Sequence, residues 1–189
     1  MNFIDINQSI LRIIILIIIT ACAPQELLIQ LPAKSENPVD FSGEWVLRGT
    51  DRNNRKALNK AISETDGVHD HDVFLGRTSG SGSVYVFLES GKNLKITQTI
   101  HGLFISFDRA VVEEYRFGEK RIIRVGQVEA QRVSGWVGSE LVIETLDKHG
   151  MKMTEIYKLL SDNQTILKTI VFRGNDGEES KVSQYLDKR

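Results

Sequence analysis

Residues 94–100 read Leu-Lys-Ile-Thr-Gln-Thr-Ile, and with them begins the stretch that decides the fold of this chain. Leu94, Ile96 and Ile100 fall on one face of an extended segment, while lysine and threonine alternate with them on the other. This period of two predicts a half-buried β-strand whose three aliphatic side chains face a core. The His-Gly pair that follows predicts a turn into the next strand.

Segments of the same kind recur about every ten residues, separated by Gly, Asp, Asn and Lys, and no helical period interrupts them. Short connections between consecutive strands favour an antiparallel meander. Closure into a barrel removes its two edges, so we expect an all-β, up-and-down barrel of about eight to ten strands. The predicted strands are residues 94–100, 103–107, 111–117, 121–129, 132–137, 140–146, 151–160, 165–172 and, last, 179–187.

The first strand of the domain is predicted at residues 41–47. Phe41, Gly43, Trp45 and Leu47 share one face of this segment. A glycine two residues before a tryptophan leaves room for a neighbouring group to approach the chain.

An insertion follows the first strand and covers residues 48–90. Within it, residues 54–64 have apolar side chains at helical spacing, and Asp51 or Asn53 would cap a short helix there. Residues 83–89 are apolar enough to form an additional strand.

Length and charge bound the function. The 189 residues suit one domain plus a targeting segment, and the formal net charge of −1 gives no basic excess for nucleic acid. The sequence contains no glycine-rich phosphate loop and no nucleophile elbow, and Glu113 and Glu114 fall on opposite faces of a strand. We therefore expect no enzymatic activity and no cofactor.

The N-terminus carries a targeting pattern. An unbroken run of isoleucine and leucine at residues 13–19 follows Arg12 and has the length of a signal-peptide core rather than of a transmembrane helix. It ends in Ile-Thr-Ala-Cys22, which resembles the lipobox of bacterial lipoproteins. The resemblance implies cleavage before Cys22, a diacylglyceryl thioether on its sulfur and acylation of the new amino terminus. An ordinary secretory signal with an incidental cysteine is the alternative.

By this resemblance, residues 1–21 are a lipoprotein signal peptide, residues 22–40 a lipidated tether and residues 41–189 the barrel domain. The tether would hold the domain off the membrane by up to about a few tens of ångströms. Ala23, where an aspartate would signal inner-membrane retention, implies an outer-membrane lipoprotein facing the periplasm, or the plasma-membrane surface in a cell with one membrane. Since Cys22 is the only cysteine, the domain has no disulfide.

The barrel segments also resemble known families. The Gly-x-Trp45 sequence of the first strand resembles the short signature of lipocalins and related calycin barrels. Residues 136–145, 154–159 and 185–189 are similar to segments of small exported bacterial proteins that open with Phe-Ser-Gly-x-Trp. The resemblance implies a lipocalin-like barrel and carries no activity with it. Lipocalins often pack a basic residue over the signature tryptophan, and Arg173 is the candidate for that role.

Two histidines form the one cluster of metal-type ligands in the sequence, His69-Asp70-His71-Asp72. On an extended segment, side chains at i and i+2 point the same way, and imidazole suits zinc, copper or nickel. A closed zinc site needs further ligands. A solvated acidic loop is the alternative, and we expect no metal, with His69 and His71 as the weak candidates.

Polar side chains on apolar faces are candidates for a site. Glu155 shares its face with Tyr157, and a buried carboxylate needs a partner, for which Arg124 and Arg132 are candidates. Gln98 likewise falls on an apolar face. These groups either anchor the head group of a ligand or form a structural hydrogen-bond network, unless Glu155 faces solvent.

The sequence supports two functions of different classes. In the first, the barrel is a membrane-tethered binding module that holds a small apolar or amphiphilic molecule through Trp45, Gln98, Trp136, Glu155 and Tyr157. In the second, the tryptophans are core residues, and a filled barrel serves as a structural lipoprotein that contacts an envelope protein.

Overall fold

Strands that run up and down in chain order form the wall of the molecule. The computed structural model describes residues 26–66 and 84–189. The ten strands of these residues are β1 Gly43–Leu47, β2 Asn93–Gln98, β3 Gly102–Phe107, β4 Val111–Arg116, β5 Glu119–Val125, β6 Val128–Val137, β7 Glu140–Asp147, β8 Lys152–Leu159, β9 Thr165–Arg173 and β10 Glu179–Lys188.

These strands form one antiparallel sheet in the order β4-β3-β2-β1-β10-β9-β8-β7-β6-β5. β10 therefore returns to pair with β1, with Trp45 opposite Lys188 and Leu47 opposite Leu186. The prediction of an all-β meander with one helix after its first strand is confirmed. We call the end that carries the insertion and the β5–β6 turn the upper end, and the end that carries the β2–β3 and β4–β5 turns the lower end.

The ring closes between β4 and β6, and β5 lies outside it. The chain just after β4 contacts β6, since Gly118 N donates to Ser134 O at 2.9 Å and the Ser134 hydroxyl donates to Arg116 O at 2.7 Å. β5 pairs with β6, yet six of its seven side chains are exposed and Ile123 is half-buried. The barrel is therefore nearly closed, with β5 as a solvent-exposed edge.

The insertion begins with helix α1, Asp51–Asp66, which is longer than the predicted helix. Its N-cap is Thr50 rather than Asp51 or Asn53, because the Thr50 hydroxyl accepts a hydrogen bond from Asn53 N at 3.3 Å. Among the described residues, no helix has the length and apolar character needed to cross a membrane.

The strand predicted within residues 83–89 is wrong, since Val84–Phe87 form a 3-10 helix. Val84 and its neighbour Tyr85 are both buried in the same apolar cluster. A strand would direct successive side chains to opposite faces, so a helical turn is the conformation that buries both.

Two details of the strand pattern differ from the prediction. Residues 121–129 are not one strand, because Gly126, with a φ of 58°, and the next residue form a two-residue turn between β5 and β6. Ile100 does not face the core and is 82% exposed. It lies beyond the end of β2, where Thr99 N donates to Gly102 O at 2.8 Å and turns the chain.

Two apolar clusters occupy the barrel. The lower cluster contains Phe41, Trp45, Phe117, Trp136 and Tyr157 among its buried members. The upper cluster joins the apolar side of α1 and the 3-10 helix to the upper halves of the strands, and it includes Leu58, Ile62, Val84, Phe87, Met153 and Phe172.

Residues 26–35, which we call the strap, lie against the outside of the barrel, although the sequence predicts a tether over residues 22–40. Leu28 is 5% exposed and packs with Val133 and Leu146 on the outer face of β6 and β7. Trp136 N donates to Pro32 O at 2.9 Å, which continues the hydrogen bonding of the β6 edge. The physical reason is that β6 and β7 expose apolar side chains outward, and the strap removes them from water.

The strap approaches β6 where that strand has no side chain. A Cβ atom on Gly135 would lie 2.5 Å from Pro32 O and 2.7 Å from Leu31 Cβ. A similar atom on Gly118 would lie 2.7 Å from Ala33 Cβ. Close approach of the two backbones therefore depends on glycine at these positions.

The basic residue over the signature tryptophan is Lys188, not Arg173. The Lys188 ammonium lies 5.5 Å from the ring centroid of Trp45, within the range of a cation–π contact. Arg173 lies at the upper end and forms an ion pair with Glu26 of the strap. A Cβ atom on Gly43 would lie 3.4 Å from Lys188 Cε, an ordinary contact, so it is the φ of 143° rather than a close approach that favours glycine there.

Truncation of Leu28 tests the docking of the strap. We expect Leu28→Ala to lower the free energy of unfolding by about 2–3 kcal/mol, because it removes buried aliphatic volume. Leu27→Ala is the matched control and should change stability by less than about 0.5 kcal/mol, since Leu27 is 64% exposed. Urea denaturation measures both values. Equal, small losses would show that the strap is detached in solution.

Candidate functional site

A belt of polar side chains separates the two apolar clusters inside the barrel. On β8, Glu155 lies between Met153 of the upper cluster and Tyr157 of the lower one. On β9, Lys168 lies between Ile166 and Ile170 in the same way. The belt therefore crosses the barrel at mid-height.

Glu155 and Lys168 form a buried ion pair. Lys168 Nζ lies 2.6 Å from Glu155 Oε2, and their side chains are 4% and 2% exposed. The Tyr157 hydroxyl donates to the same oxygen at 3.2 Å. Burial, followed by the negative charge of Glu155, raises the pKa of the Tyr157 phenol well above its ordinary value, so the phenol keeps its proton and remains a donor.

Arg132 on β6 is the second cation of the belt. Its Nη1 donates to Glu113 Oε2 at 2.9 Å, its Nε donates to Thr145 Oγ1 at 3.2 Å, and its Nη2 donates to Phe87 O at 3.3 Å. The guanidinium also lies 5.3 Å from the ring centroid of Tyr115. These contacts join β4, β6, β7 and the 3-10 helix.

The predicted inward orientation of Glu155 agrees with its burial, but its predicted partners are wrong. Arg132 is committed to Glu113, and Arg124 lies on the outside, 2.5 Å from Glu129. Lys168 takes their place because β9 lies beside β8 in the sheet and directs its own polar residue inward. The alternation of Lys168 with three inward apolar residues is the sequence signal that could have identified it.

One oxygen of the belt has no partner. Among the described residues, Glu155 Oε1 is buried and accepts no hydrogen bond. The Glu89 carboxyl lies near this belt, and burial together with the charge of Glu113 raises its pKa. The contacts of Glu155, Lys168 and Arg132 are those of a structural network that links strands, the second of the alternatives for these residues.

A groove at the lower end has a different character. It has a volume of about 440 Å³, and its apolar wall consists of Pro38, Ile100, Phe117 and Trp136. The rings of Phe117 and Trp136 meet edge to face, with centroids 5.3 Å apart. Lys34 of the strap and Asp40 stand at the rim.

Gln98 fixes the floor of this lower-end groove. Its Oε1 accepts a hydrogen bond from Phe41 N at 3.0 Å, and its Nε2 donates to Val39 O at 2.8 Å. Phe41 is thereby held against Trp136, with their ring centroids 6.0 Å apart. The lower mouth of the barrel is closed by Phe41, and the groove lies outside that closure.

The five predicted ligand residues therefore lie in different places. Gln98 and Trp136 line the lower-end groove, which the sequence did not predict as a unit. Trp45 and Tyr157 are buried in the lower cluster, and Glu155 belongs to the belt. Lys34 was missed because residues 22–40 were assigned to a tether.

The metal and lipidation candidates cannot be placed in this way. His69, His71 and Cys22 lie outside the described residues. Within the part of the chain that is described, no three His, Cys, Asp or Glu side chains are grouped so that they could hold a metal ion.

Comparison with known proteins yields structural neighbours alone. No protein-family model matches the chain, and no curated protein is significantly similar to it in sequence. A solved structure of secretory abundant heat soluble protein 4 from Ramazzottius varieornatus is similar, with 14% identity, a TM-score of 0.49, and coverage of 87% of this chain and 99% of that one. A secretory abundant heat soluble (SAHS) protein of the same organism has 14% identity, a TM-score of 0.47, and coverage of 79% and 95%. Similarity at this level assigns no activity to the chain.

Substitutions at the buried pair test its structural role. We expect Lys168→Met to lower the free energy of unfolding by about 3–5 kcal/mol, because Glu155 then lacks its cationic partner in the interior. The double variant Lys168→Met with Glu155→Met should be more stable than Lys168→Met alone. Arg48→Met is the control, since Arg48 and Asp187 form an exposed pair, and it should cost less than about 1 kcal/mol. Equal losses for the buried and exposed pairs in chemical denaturation would contradict this role.

Proposed function

We propose that this protein is a membrane-anchored lipoprotein whose barrel binds a small apolar or amphiphilic molecule in the lower-end groove. The observation that carries the proposal is the groove itself, in which aromatic and aliphatic side chains form a wall beside one cationic and one anionic group at the rim. Its volume falls within the range of small-molecule sites in proteins.

The chemistry of the groove favours an amphiphile with an acidic head group. Ile100 and Pro38 offer exposed apolar surface to a hydrocarbon tail, and the largely buried rings of Phe117 and Trp136 form the wall behind them. Asp40 is already engaged, because Ser42 N donates to its Oδ1 at 2.8 Å, and the hydrogen bonds from Ser42 lower its pKa. The exposed ammonium of Lys34 is the group at the rim that suits a carboxylate or phosphate.

Anchoring rests on the lipobox-like sequence before Cys22. Acyl chains on Cys22 would place the barrel on the periplasmic side of the outer membrane, or on the outer surface of the plasma membrane in a cell with one membrane. Each buried methylene adds about 0.8 kcal/mol, so several chains give stable attachment.

A structural or protein-interaction lipoprotein is the second candidate, and one observation favours it. Trp45 and Tyr157 are 1% and 0% exposed, and the belt joins strands across the interior. The described interior side chains therefore pack on one another. Under this alternative, the partner is an envelope protein and the groove binds no ligand.

Binding is tested with laurate as the probe and tryptophan fluorescence as the readout. We expect laurate to change the emission of Trp136, which lies in the groove wall. Ile100→Asp should weaken binding about tenfold or more, a loss of about 1.4 kcal/mol, because it places a second anionic group in the apolar wall. Val112→Asp is the control, since Val112 is also exposed but lies on β4 outside the groove.

Lys34→Glu refines the same experiment. It should weaken the binding of laurate and leave the binding of dodecanol nearly unchanged, because the alcohol has no charge. If laurate does not bind, or binds equally well to the Ile100→Asp variant, the groove is not a ligand site, and crosslinking to envelope proteins then tests the second candidate.

The anchor is tested separately. We expect the full chain expressed in a bacterium to fractionate with membranes, and the intact mass of the mature protein to include acyl chains on Cys22. Cys22→Ser should lose those chains and, with them, its association with membranes. A mature protein whose Cys22 thiol still reacts with iodoacetamide would contradict the assignment.

A further inference from the structure

The docked strap leaves little chain between Cys22 and the barrel. Glu26 is fixed to the upper part of the barrel, because its carboxylate pairs with Arg173 and its carbonyl accepts a hydrogen bond from Gln131 Nε2 at 3.3 Å. Three residues separate Cys22 from Glu26. At about 3.5 Å per residue, the two positions lie no more than about 14 Å apart along an extended chain.

The strap presents aliphatic side chains to solvent just after this short link. Leu28 is directed into the barrel surface, whereas Leu27 and Ile29 on either side of it are 64% and 82% exposed. Ile122 of β5 is also exposed and lies opposite Gln131 in the β5–β6 ladder, so both side chains are on the same face of the sheet. Gln131 accepts a hydrogen bond from Leu28 N at 3.2 Å, which places Ile122 beside the strap.

Cations flank these aliphatic residues. Lys120, Ile122 and Arg124 are every second residue of β5, so their side chains lie on the same face of the sheet. Arg124 also pairs with Glu129 at the edge of this surface. Exposed aliphatic groups flanked by lysine and arginine are the combination that suits the interface of an anionic membrane.

We propose that this strap face, defined by Leu27, Ile29, Lys120, Ile122 and Arg124, lies directly on the phospholipid surface. The proposal rests on the proposed anchoring through Cys22. The acyl chains and the short link bring the strap face to the membrane, the aliphatic side chains enter the interfacial region, and the Lys120 ammonium meets lipid phosphates. Arg124 and its partner Glu129 lie at the edge of the contact. The exposed edge of β5 stays at head-group depth, because its unpaired backbone groups need water or polar lipid groups.

Site-specific labels test the contact on the full acylated protein. An acylated Cys22 has no thiol, so a cysteine introduced at Ile29, at Ile122 or at Tyr185 is the single reactive thiol of each variant. Tyr185 is the matched control, because it is partly exposed on the outer face of β10, which lies four strands from β6 in the sheet. The labelled proteins are reconstituted in vesicles of phosphatidylglycerol and phosphatidylethanolamine, with an environment-sensitive nitrobenzoxadiazole fluorophore.

We expect labels at positions 29 and 122 to show blue-shifted emission and to lose their quenching by iodide in vesicles. The emission and the iodide quenching of the label at position 185 should be the same in vesicles as in detergent-free buffer. Lys120→Glu should reduce the blue shift at position 29. Vesicles of phosphatidylcholine alone should give a smaller shift than anionic vesicles.

Three outcomes overturn the proposal and identify what failed. If intact mass shows acylated Cys22 and the protein floats with vesicles, but all three labels remain open to iodide, the anchor stands and the strap face is not at the membrane. If Cys22 carries no acyl chain and the protein does not bind vesicles, the anchoring fails as well. If the labels are protected in native membranes but exposed in protein-free vesicles, an envelope protein covers this face.

Discussion

The interior of this barrel is organised by the need to pair the charges that it contains. Lys168 and Glu155 are almost fully removed from water and lie 2.6 Å apart. An isolated charge at that depth would cost several kcal/mol, so β8 and β9 must keep a register that brings the two groups together. Arg132 imposes the same requirement on β4 and β6 through Glu113. The belt therefore divides the apolar interior in two, and it fixes which residues remain for binding at the ends.

The strap gives the outside of the barrel a second organising element. By covering Val133 and Leu146, it turns an apolar outer face into core. The same segment then crosses to the lower end, where it supplies one wall of the groove and leads into the closure by Phe41. A segment that looks like a spacer in the sequence is thus part of the barrel surface, of the candidate ligand site and of the face that we place at the membrane.

The sequence predicted the candidate site in part. Alternation placed Glu155 and Gln98 on apolar faces; Glu155 is buried, and Gln98 is half-buried beside the groove. It did not identify Lys168 as the partner of Glu155, because pairing depends on which strands are neighbours and on their register. It also grouped five residues into one cavity, whereas Gln98 and Trp136 line the groove, and Trp136 belongs with the other three to the packed interior. Side-chain period shows which face a residue occupies, but not what fills the space in front of it.

The sequence by itself determined the antiparallel meander and the helix after β1, because these depend on local periodicity and short turns. Tertiary structure decided what local pattern does not contain. The strap packs on the outer face of β6 and β7 because that face is apolar. Burial of both Val84 and Tyr85 in one core makes Val84–Phe87 helical rather than extended. Lys188 rather than Arg173 reaches Trp45 because antiparallel register places it opposite that residue. Each of these results depends on contacts between residues distant in the chain, and such contacts exist only once the sheet has closed.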